Sequence, residues 1–207
     1  MIKAVRAWRI LTAVAIIAAI TDLAAGGISR GDFVFYDFFG YFTIQTNVIA
    51  VVALVIAAIY AGRERPQWVE WLRISAATYM VIVVVVFWWL LYPTMAEFGA
   101  GWTDYVLHLG SGIVLVADWA LEGPRTRLPL RNLGVCMIYP FIWLTVVLIR
   151  GATDGWVPYF FLDPANGYAS VFTMVAIIVA VGLTLCAALI PLARLRVIDP
   201  TPAQVAA

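Results

Sequence analysis

The side chains of this sequence best suited to chemistry are a single histidine and a short run of hydroxyl and amide groups. The run lies in the stretch YFTIQTNVIA, residues 41–50, and contains Thr43, Thr46 and Asn47. Residues three and four positions apart share one face of a helix, so these three side chains are expected to point in one direction. The histidine is His108, and a neutral imidazole can take the proton of a hydroxyl group and so activate it as a nucleophile.

The composition places these polar residues in a membrane. Hydrophobic residues make up 64% of the 207 residues and charged residues only 12%, which is more apolar surface than a soluble core of this size can hide. Apolar runs of about 20 residues, long enough to cross a bilayer as helices, recur along the chain. We predict an all-α integral membrane bundle, one domain over 1–207, with six transmembrane helices at about 7–27, 41–61, 73–93, 103–121, 132–150 and 168–191.

The distribution of basic residues predicts the orientation of the bundle. Six spans return the chain to its starting side, and eleven of the thirteen Lys and Arg residues fall on that side. They are Lys3, Arg6, Arg9, Arg63, Arg65, Arg73, Arg125, Arg127, Arg131, Arg194 and Arg196. Only Arg30 and Arg150 fall on the other side. Cytoplasmic loops are enriched in Lys and Arg, so we expect both termini in the cytoplasm and the protein in the cytoplasmic membrane.

Other functional classes receive little support from the sequence. The formal net charge of +1 gives no reason to expect nucleic acid as a partner. Cys136 and Cys186 each lie inside an apolar span and indicate neither a disulfide framework nor a metal site. The first span follows basic residues as a signal peptide would, but it is long and no small-residue cleavage site precedes ISRGDF (28–33), so we expect a retained helix.

The topology brings several polar residues to one level of the membrane. At a rise of 1.5 Å per residue, Thr43 and Asn47 lie within about 10 Å of the outer surface and His108 about 7 Å below it. Asp22, near the end of the first span, and Arg150, at the end of the fifth, reach the same layer. Ionisable residues at membrane depth often mark functional sites, so this layer is the candidate site.

Each of these residues also has a purely structural interpretation. Thr46 could bridge helices through a hydrogen bond, and His108 could be a packing residue. Asp22 could lie in the interfacial region. Arg150 could be an outer anchor that pairs with Asp154 or Asp163 of the following link.

An acyl-transfer site needs two further groups. Asp104 precedes His108 by four residues and could orient the second ring nitrogen, or it could be an exposed acid favoured by the dipole of the helix. The oxyanion donor could be Asn47 or a tyrosine hydroxyl, and Tyr159 lies in the aromatic link RGATDGWVPYFFLDPANGY (150–168). This link has the composition of an interfacial belt, and it could also form a lid or a lateral gate.

Three segments resemble a known family. They are YFTIQTN (41–47), DYVLHLGSGIVLVADW (104–119) and YPFIWLTVVLIRGATDGWVPYFFLD (139–163), and they resemble bacterial relatives of the androgen-induced and androgen-dependent membrane proteins. The animal members are six-span intramembrane hydrolases that split fatty acid esters of hydroxy fatty acids with one threonine and one histidine. The resemblance implies that Thr43, in YFT, is the nucleophile and that His108, in VLH, is the general base.

The chain departs from the family at two places. The family usually has a proline one turn after the histidine, where this chain has Gly110, Ser111 and Gly112, so the helix bend and the pocket shape are expected to differ. The animal proteins lack an equivalent of Arg150. An ester of a hydroxy fatty acid keeps one free carboxylate, which Arg150 could bind through two parallel hydrogen bonds.

The sequence therefore predicts a lipid ester hydrolase in which Thr43 attacks the ester carbonyl and His108 acts as general base and then general acid. No cofactor or metal is implied, and the expected partners are a lipid ester and membrane lipids. One alternative is a small transporter or lipid-binding protein whose polar layer is a ligand site. Another is a structural membrane subunit in which Thr43 and His108 only join helices.

Overall fold

The computed structural model describes residues 1–95, 97, 99–195 and 197–198, and in this part of the chain it contains helices and no β-strand. Six helices are long and apolar enough to cross a membrane, which confirms the predicted all-α bundle with six spans. In chain order α1 to α6 they are Ile2–Arg30, Phe42–Ile59, Gln67–Thr94, Trp102–Glu122, Leu130–Thr153 and Tyr168–Leu192. A helix satisfies its own backbone hydrogen bonds, which is why such apolar segments adopt this form in lipid.

The first connection is short and ordered. α1 ends at Gly31, whose φ of 77° is the left-handed conformation that glycine adopts without strain. A single helical turn, Phe35–Phe38, then leads to α2. α1, α3 and α5 begin at one face of the bundle, which we call the N-terminal face, and α2, α4 and α6 begin at the opposite face. Arg196 and residues 199–207 lie outside the described residues, and the membrane side on which each face lies stays a prediction.

α2 and α3 form the centre of the bundle. They bury more of their apolar length than the other helices, and α3 packs against α2, α4 and α6. A Cβ atom added to Gly112 of α4 would lie 2.6 Å from Cγ2 of Val84, so glycine permits the close approach of α4 to α3. At the α5–α6 contact the sulfur atoms of Cys136 and Cys186, both free thiols, lie 3.0 Å apart.

Two π-helical turns interrupt the central helices. One covers Phe87–Leu91 in α3 and the other covers Val106–Gly110 in α4. In a π-helix the backbone bonds run from residue i to i+5, which widens the turn, and such turns are frequent at functional sites. The second of them contains His108.

A group of six charged side chains lies buried at the N-terminal face, and each is at most 5% exposed. We call it the ion cluster, and its members are Arg9, Arg65, Glu70, Arg73, Asp118 and Glu122. Arg9 Nε lies 2.7 Å from Asp118 Oδ1, and Arg73 Nη2 lies 2.9 Å from Asp118 Oδ2. The three arginines balance the three carboxylates, which offsets the cost of burying each charge.

Two helices begin earlier than predicted, and the ion cluster explains the earlier start of one of them, α3. α1 begins at Ile2 and α3 at Gln67, whereas the predicted spans began near residues 7 and 73. From the sequence, arginines are expected to flank the spans, because an unpaired charge is too costly to bury. Their carboxylate partners remove that cost, so helix continues through them. In the link before α3, burial lowers the pKa of Arg65 to about 10, which leaves it charged at neutral pH.

Candidate functional site

Thr43 and His108 line one cavity at the opposite face, although α2 and α4 carry them far apart in sequence. Its volume is about 760 Å³, and each of the two residues keeps 9% of its surface exposed. We call it the polar cavity, because Arg30, Asp32, Asp37, Asp104 and His108 all line it. Two residues of the layer predicted from membrane depth, Thr43 and His108, therefore share one cavity.

Two contacts hold His108 in place. Its ring stacks on Phe87, and the backbone oxygen of His108 accepts a hydrogen bond from Trp88 Nε1 at 3.1 Å. Its Nδ1 atom is buried and lies 3.5 Å from Oδ1 of Asp104, without a hydrogen bond between them. Since Nδ1 is buried and the side chain still lines the cavity, we infer that the ring edge carrying Nε2 faces the cavity.

Asp104 lies in the first turn of α4, where it can both cap the helix and approach His108, as its two predicted roles require. Its Oδ2 atom accepts a hydrogen bond from Gly101 N at 3.0 Å, which caps the start of α4. Its Oδ1 atom is the one near His108. The capping bond fixes the carboxylate, and catalytic hydrogen bonds often tighten only when substrate binds.

Asn47 joins the two helices directly behind the site. Its Nδ2 atom donates to the backbone oxygen of Thr43 at 2.9 Å and to that of Leu107 at 3.1 Å. An amide has two N–H groups, so both donors of Asn47 are used. Thr46 is fully buried and donates to the backbone oxygen of Phe42 at 2.8 Å, within its own helix. Asn47 thus positions the site, whereas Thr46 makes no bond to another helix among the described residues.

Tyr159 reaches the site from the link after α5. Its hydroxyl oxygen lies 3.5 Å from the backbone nitrogen of Thr43, in the orientation of an acceptor. The hydroxyl proton is therefore available for another acceptor. Burial raises the pKa of Tyr159 to about 12, so the phenol keeps this proton at neutral pH. The adjoining Trp156 packs on Gly40, where a Cβ atom would collide with the indole ring.

Arg150 does not line the polar cavity. Its Nη2 atom lies 2.8 Å from Asp37 Oδ1 and 2.8 Å from Asp154 Oδ2, and its guanidinium lies 4.2 Å from the ring centre of Trp156. These contacts hold the link against the helical turn before α2, as expected of an anchor. Arg30 does line the polar cavity, and its exposed guanidinium pairs with Asp32.

Asp22 is not brought to the site. It is exposed on α1, while Leu23, Gly27 and Arg30 of the same helix line the polar cavity. Neighbouring residues on a helix point about 100° apart, so Asp22 has the predicted depth but faces away from the cavity. Depth can be counted along the sequence, but the rotation of a helix about its axis depends on packing.

A second cavity, which the sequence analysis did not predict, meets the first at Thr43. It is narrow, about 80 Å³, and is lined almost entirely by apolar side chains of α2, α3, α5, α6 and the link, so we call it the apolar cavity. The residues that line both cavities are Thr43, Phe87, Leu91 and Tyr159. The available sequence signal was Pro140, a proline inside α5 that lines the apolar cavity, because proline breaks the hydrogen-bond ladder of a helix.

Comparison with known proteins found no match. No family model, curated protein or solved structure matches the chain. The two cavities and the residues shared between them are therefore the features that point to a function.

Proposed function

We propose that the protein is an intramembrane lipid esterase with Thr43 as nucleophile and His108 as general base. The observation that carries this proposal is the position of Thr43, which lines both the polar and the apolar cavity. A lipid ester has the same division, since its acyl chain is apolar and its alcohol side is more polar. Bound with its carbonyl at Thr43, such an ester would place each part in the cavity that suits it.

The first half of the reaction forms an acyl-threonine. The Thr43 hydroxyl oxygen attacks the carbonyl carbon while the His108 imidazole takes its proton. The tetrahedral intermediate then breaks its bond to the alcohol oxygen, and the imidazolium returns the proton to that oxygen as the alcohol leaves. Asp104 stabilises the imidazolium and holds the ring in the required tautomer.

The second half returns the enzyme to its starting state. A water molecule from the polar cavity attacks the acyl-threonine carbonyl, and His108 takes a proton from it. The carbonyl–Thr43 bond breaks, the proton passes to the threonine oxygen, and the fatty acid is released. The atoms and charges of these two half-reactions balance without a cofactor or a metal ion.

The negative oxygen of each tetrahedral intermediate needs a donor, and Tyr159 is the group best placed to supply it. Asn47, the other candidate, donates both of its N–H groups to backbone oxygens. The Tyr159 hydroxyl lies beside Thr43 with its proton uncommitted. Removal of one such donor typically lowers kcat by about 10² to 10³.

Three further parts of the proposal come from the sequence. The segments around Thr43 and His108 resemble the intramembrane threonine hydrolases, which favours fatty acid esters of hydroxy fatty acids or similar acyl esters as substrates. The excess of Lys and Arg at the N-terminal face favours termini in the cytoplasm. We therefore place the enzyme in the cytoplasmic membrane, with the polar cavity toward the outer side.

The test is ester hydrolysis by the purified protein in detergent micelles. We expect Thr43→Ala and His108→Ala to lose turnover of a long-chain nitrophenyl ester, and Thr43→Ser to retain part of it because serine keeps the hydroxyl. Thr173→Ala is the matched control, since Thr173 is exposed on α6 and donates within its own helix. A fluorophosphonate probe should label Thr43, as read by peptide mass spectrometry. Near-normal turnover by Thr43→Ala would overturn the proposal.

A further inference from the structure

A third cavity lies at the N-terminal face, away from Thr43 and His108. Its volume is about 660 Å³, and it lies between the α4–α5 link and the end of α6. Three arginines line it: Arg127 from the link, Arg131 at the start of α5, and Arg194 just after α6. No acidic residue of the described part of the chain lines it. We call it the basic cavity.

The arginines of the basic cavity differ from those of the ion cluster and from Arg125. Those of the ion cluster are buried and paired with carboxylates, and Arg125 pairs with Glu122 at 3.2 Å. Arg127, Arg131 and Arg194 are exposed, and the described residues offer none of them an ion pair. Three positive charges thus converge on one cavity without compensation, which favours a bound anion.

The wall of the basic cavity is apolar. Trp119, Leu128 and Ile190 line it, and Trp119 is only 1% exposed. The Trp119 Nε1 atom donates to the backbone oxygen of Leu189 at 2.7 Å, which fixes the indole between α4 and α6. The cavity therefore offers an apolar surface on one side and positive charge on the other.

The location is the boundary of the membrane. Arg131 lies in the first turn of α5 and Arg194 two residues beyond the end of α6, so both side chains lie where a span meets the lipid headgroups. A positive charge at the start of a helix is opposed by the helix dipole, and an anion bound between Arg131 and the helix would offset that cost.

We propose that the basic cavity binds an anionic membrane phospholipid through its phosphate. Guanidinium groups bind phosphate through paired hydrogen bonds, and basic pockets between membrane helices commonly bind anionic headgroups. The apolar wall distinguishes a lipid from a free anion, since only a lipid brings acyl chains to cover the half-buried Ile190 and the exposed Leu130. This inference does not depend on the esterase proposal, because none of its residues lines the polar or the apolar cavity.

Native mass spectrometry of the detergent-purified full chain tests the proposal. The protein is incubated with phosphatidylglycerol or with phosphatidylcholine of the same acyl chains, and the retained lipid is counted. We expect the parent protein to retain phosphatidylglycerol at least tenfold better than phosphatidylcholine. Arg131→Gln/Arg194→Gln should lose at least tenfold of that retention. The matched control, Lys3→Gln/Arg63→Gln, removes the same charge from exposed residues of the same face outside the cavity and should stay within twofold.

Two further measurements keep the test decisive. Arg127→Gln alone alters only the link and should lower retention at least threefold, so it serves if the double variant does not fold. Inorganic phosphate at millimolar concentration should leave the lipid bound. Equal retention of the two lipids, an equal loss in the control variant, unchanged retention by Arg127→Gln, or displacement by inorganic phosphate would each overturn the proposal.

Discussion

His108 lies face to face with Phe87, with ring centroids 3.6 Å apart and ring planes 10° from parallel. The two rings come from the two π-helical turns, which open α3 and α4 toward each other at the same level. The stack fixes the plane of the imidazole, and therefore the directions in which its nitrogen atoms point. Phe87 is thus a positioning residue for His108.

Phe87→Leu is expected to lower kcat about tenfold to a hundredfold, since a small misplacement of a catalytic group costs rate on this scale. KM should change little, because leucine keeps both cavities apolar at this position. Steady-state kinetics on a long-chain ester measures both constants. Phe172→Leu is the control, since Phe172 is exposed on α6. A rise in KM with unchanged kcat would show that Phe87 only shapes the substrate pocket.

Tyr159→Phe is expected to lower kcat about a hundredfold or more through loss of the oxyanion donor. The pH dependence follows from the direction of its pKa shift. A phenol donates only while it holds its proton, and burial raises the pKa of Tyr159 from 10.0 to about 12. Loss of activity caused by Tyr159 ionisation should therefore occur near pH 12 and not near pH 10. Tyr168→Phe on α6 should behave as the parent protein. Parent-like kcat in Tyr159→Phe would contradict the oxyanion role, and a fall near pH 10 that disappears in Tyr159→Phe would contradict the raised pKa.

Arg73→Gln is expected to destabilise the protein by about 3–5 kcal/mol, because it leaves buried carboxylates without their cation. Arg73 contacts both Glu70 and Asp118 and is 4% exposed. Thermal unfolding in detergent measures the loss, and Arg63→Gln, an exposed arginine of the same face, should change it little. Adding Asp118→Asn to Arg73→Gln should recover part of the loss, since it restores equal numbers of arginines and carboxylates in the ion cluster. Additive losses would mean that the two residues do not act as a pair.

Arg150→Gln is expected to lower the turnover of a carboxylate-bearing ester and of a neutral ester of equal length by the same modest factor, about twofold to fivefold. The reason is that Arg150 lies on Asp37 and Asp154, outside the polar cavity. A preference for a free carboxylate should depend instead on Arg30, which lines that cavity. Parallel kinetics of Arg30→Gln and Arg150→Gln on both esters separate the two cases. A loss confined to the carboxylate ester in Arg150→Gln would restore its substrate role.

The spans and the level of the site could be predicted from the sequence because both depend on counting along one helix. Bilayer thickness sets the length of a span, and the rise per residue sets the depths of Thr43 and His108. Their common cavity follows from these depths together with the packing of α2 against α4. Asp22 shares this depth and yet faces outward, because counting residues gives the depth of a side chain but not the rotation of its helix.

The features that the sequence did not predict all depend on contacts between helices. The π-helical turn at His108 is a local change of backbone spacing that no residue type specifies. Arg9 and Arg73 looked like anchors at span ends, since their carboxylate partners lie on other elements. The apolar cavity is the space left among four helices and a link, and Pro140 is the one sequence signal for it.

The ion cluster has a consequence for how the protein is made. Arg9 and Asp118 are separated by 109 residues, so a ribosome that adds about 5–20 residues per second completes the carboxylate about 5–20 s after the arginine. Throughout that interval Arg9 of α1 is charged, and its partner Asp118 of α4 has not yet been synthesised. α1 can therefore take its final place only after α4 has been inserted, and a nascent chain arrested before residue 118 would present an unneutralised Arg9 to the insertion and quality-control machinery of the membrane.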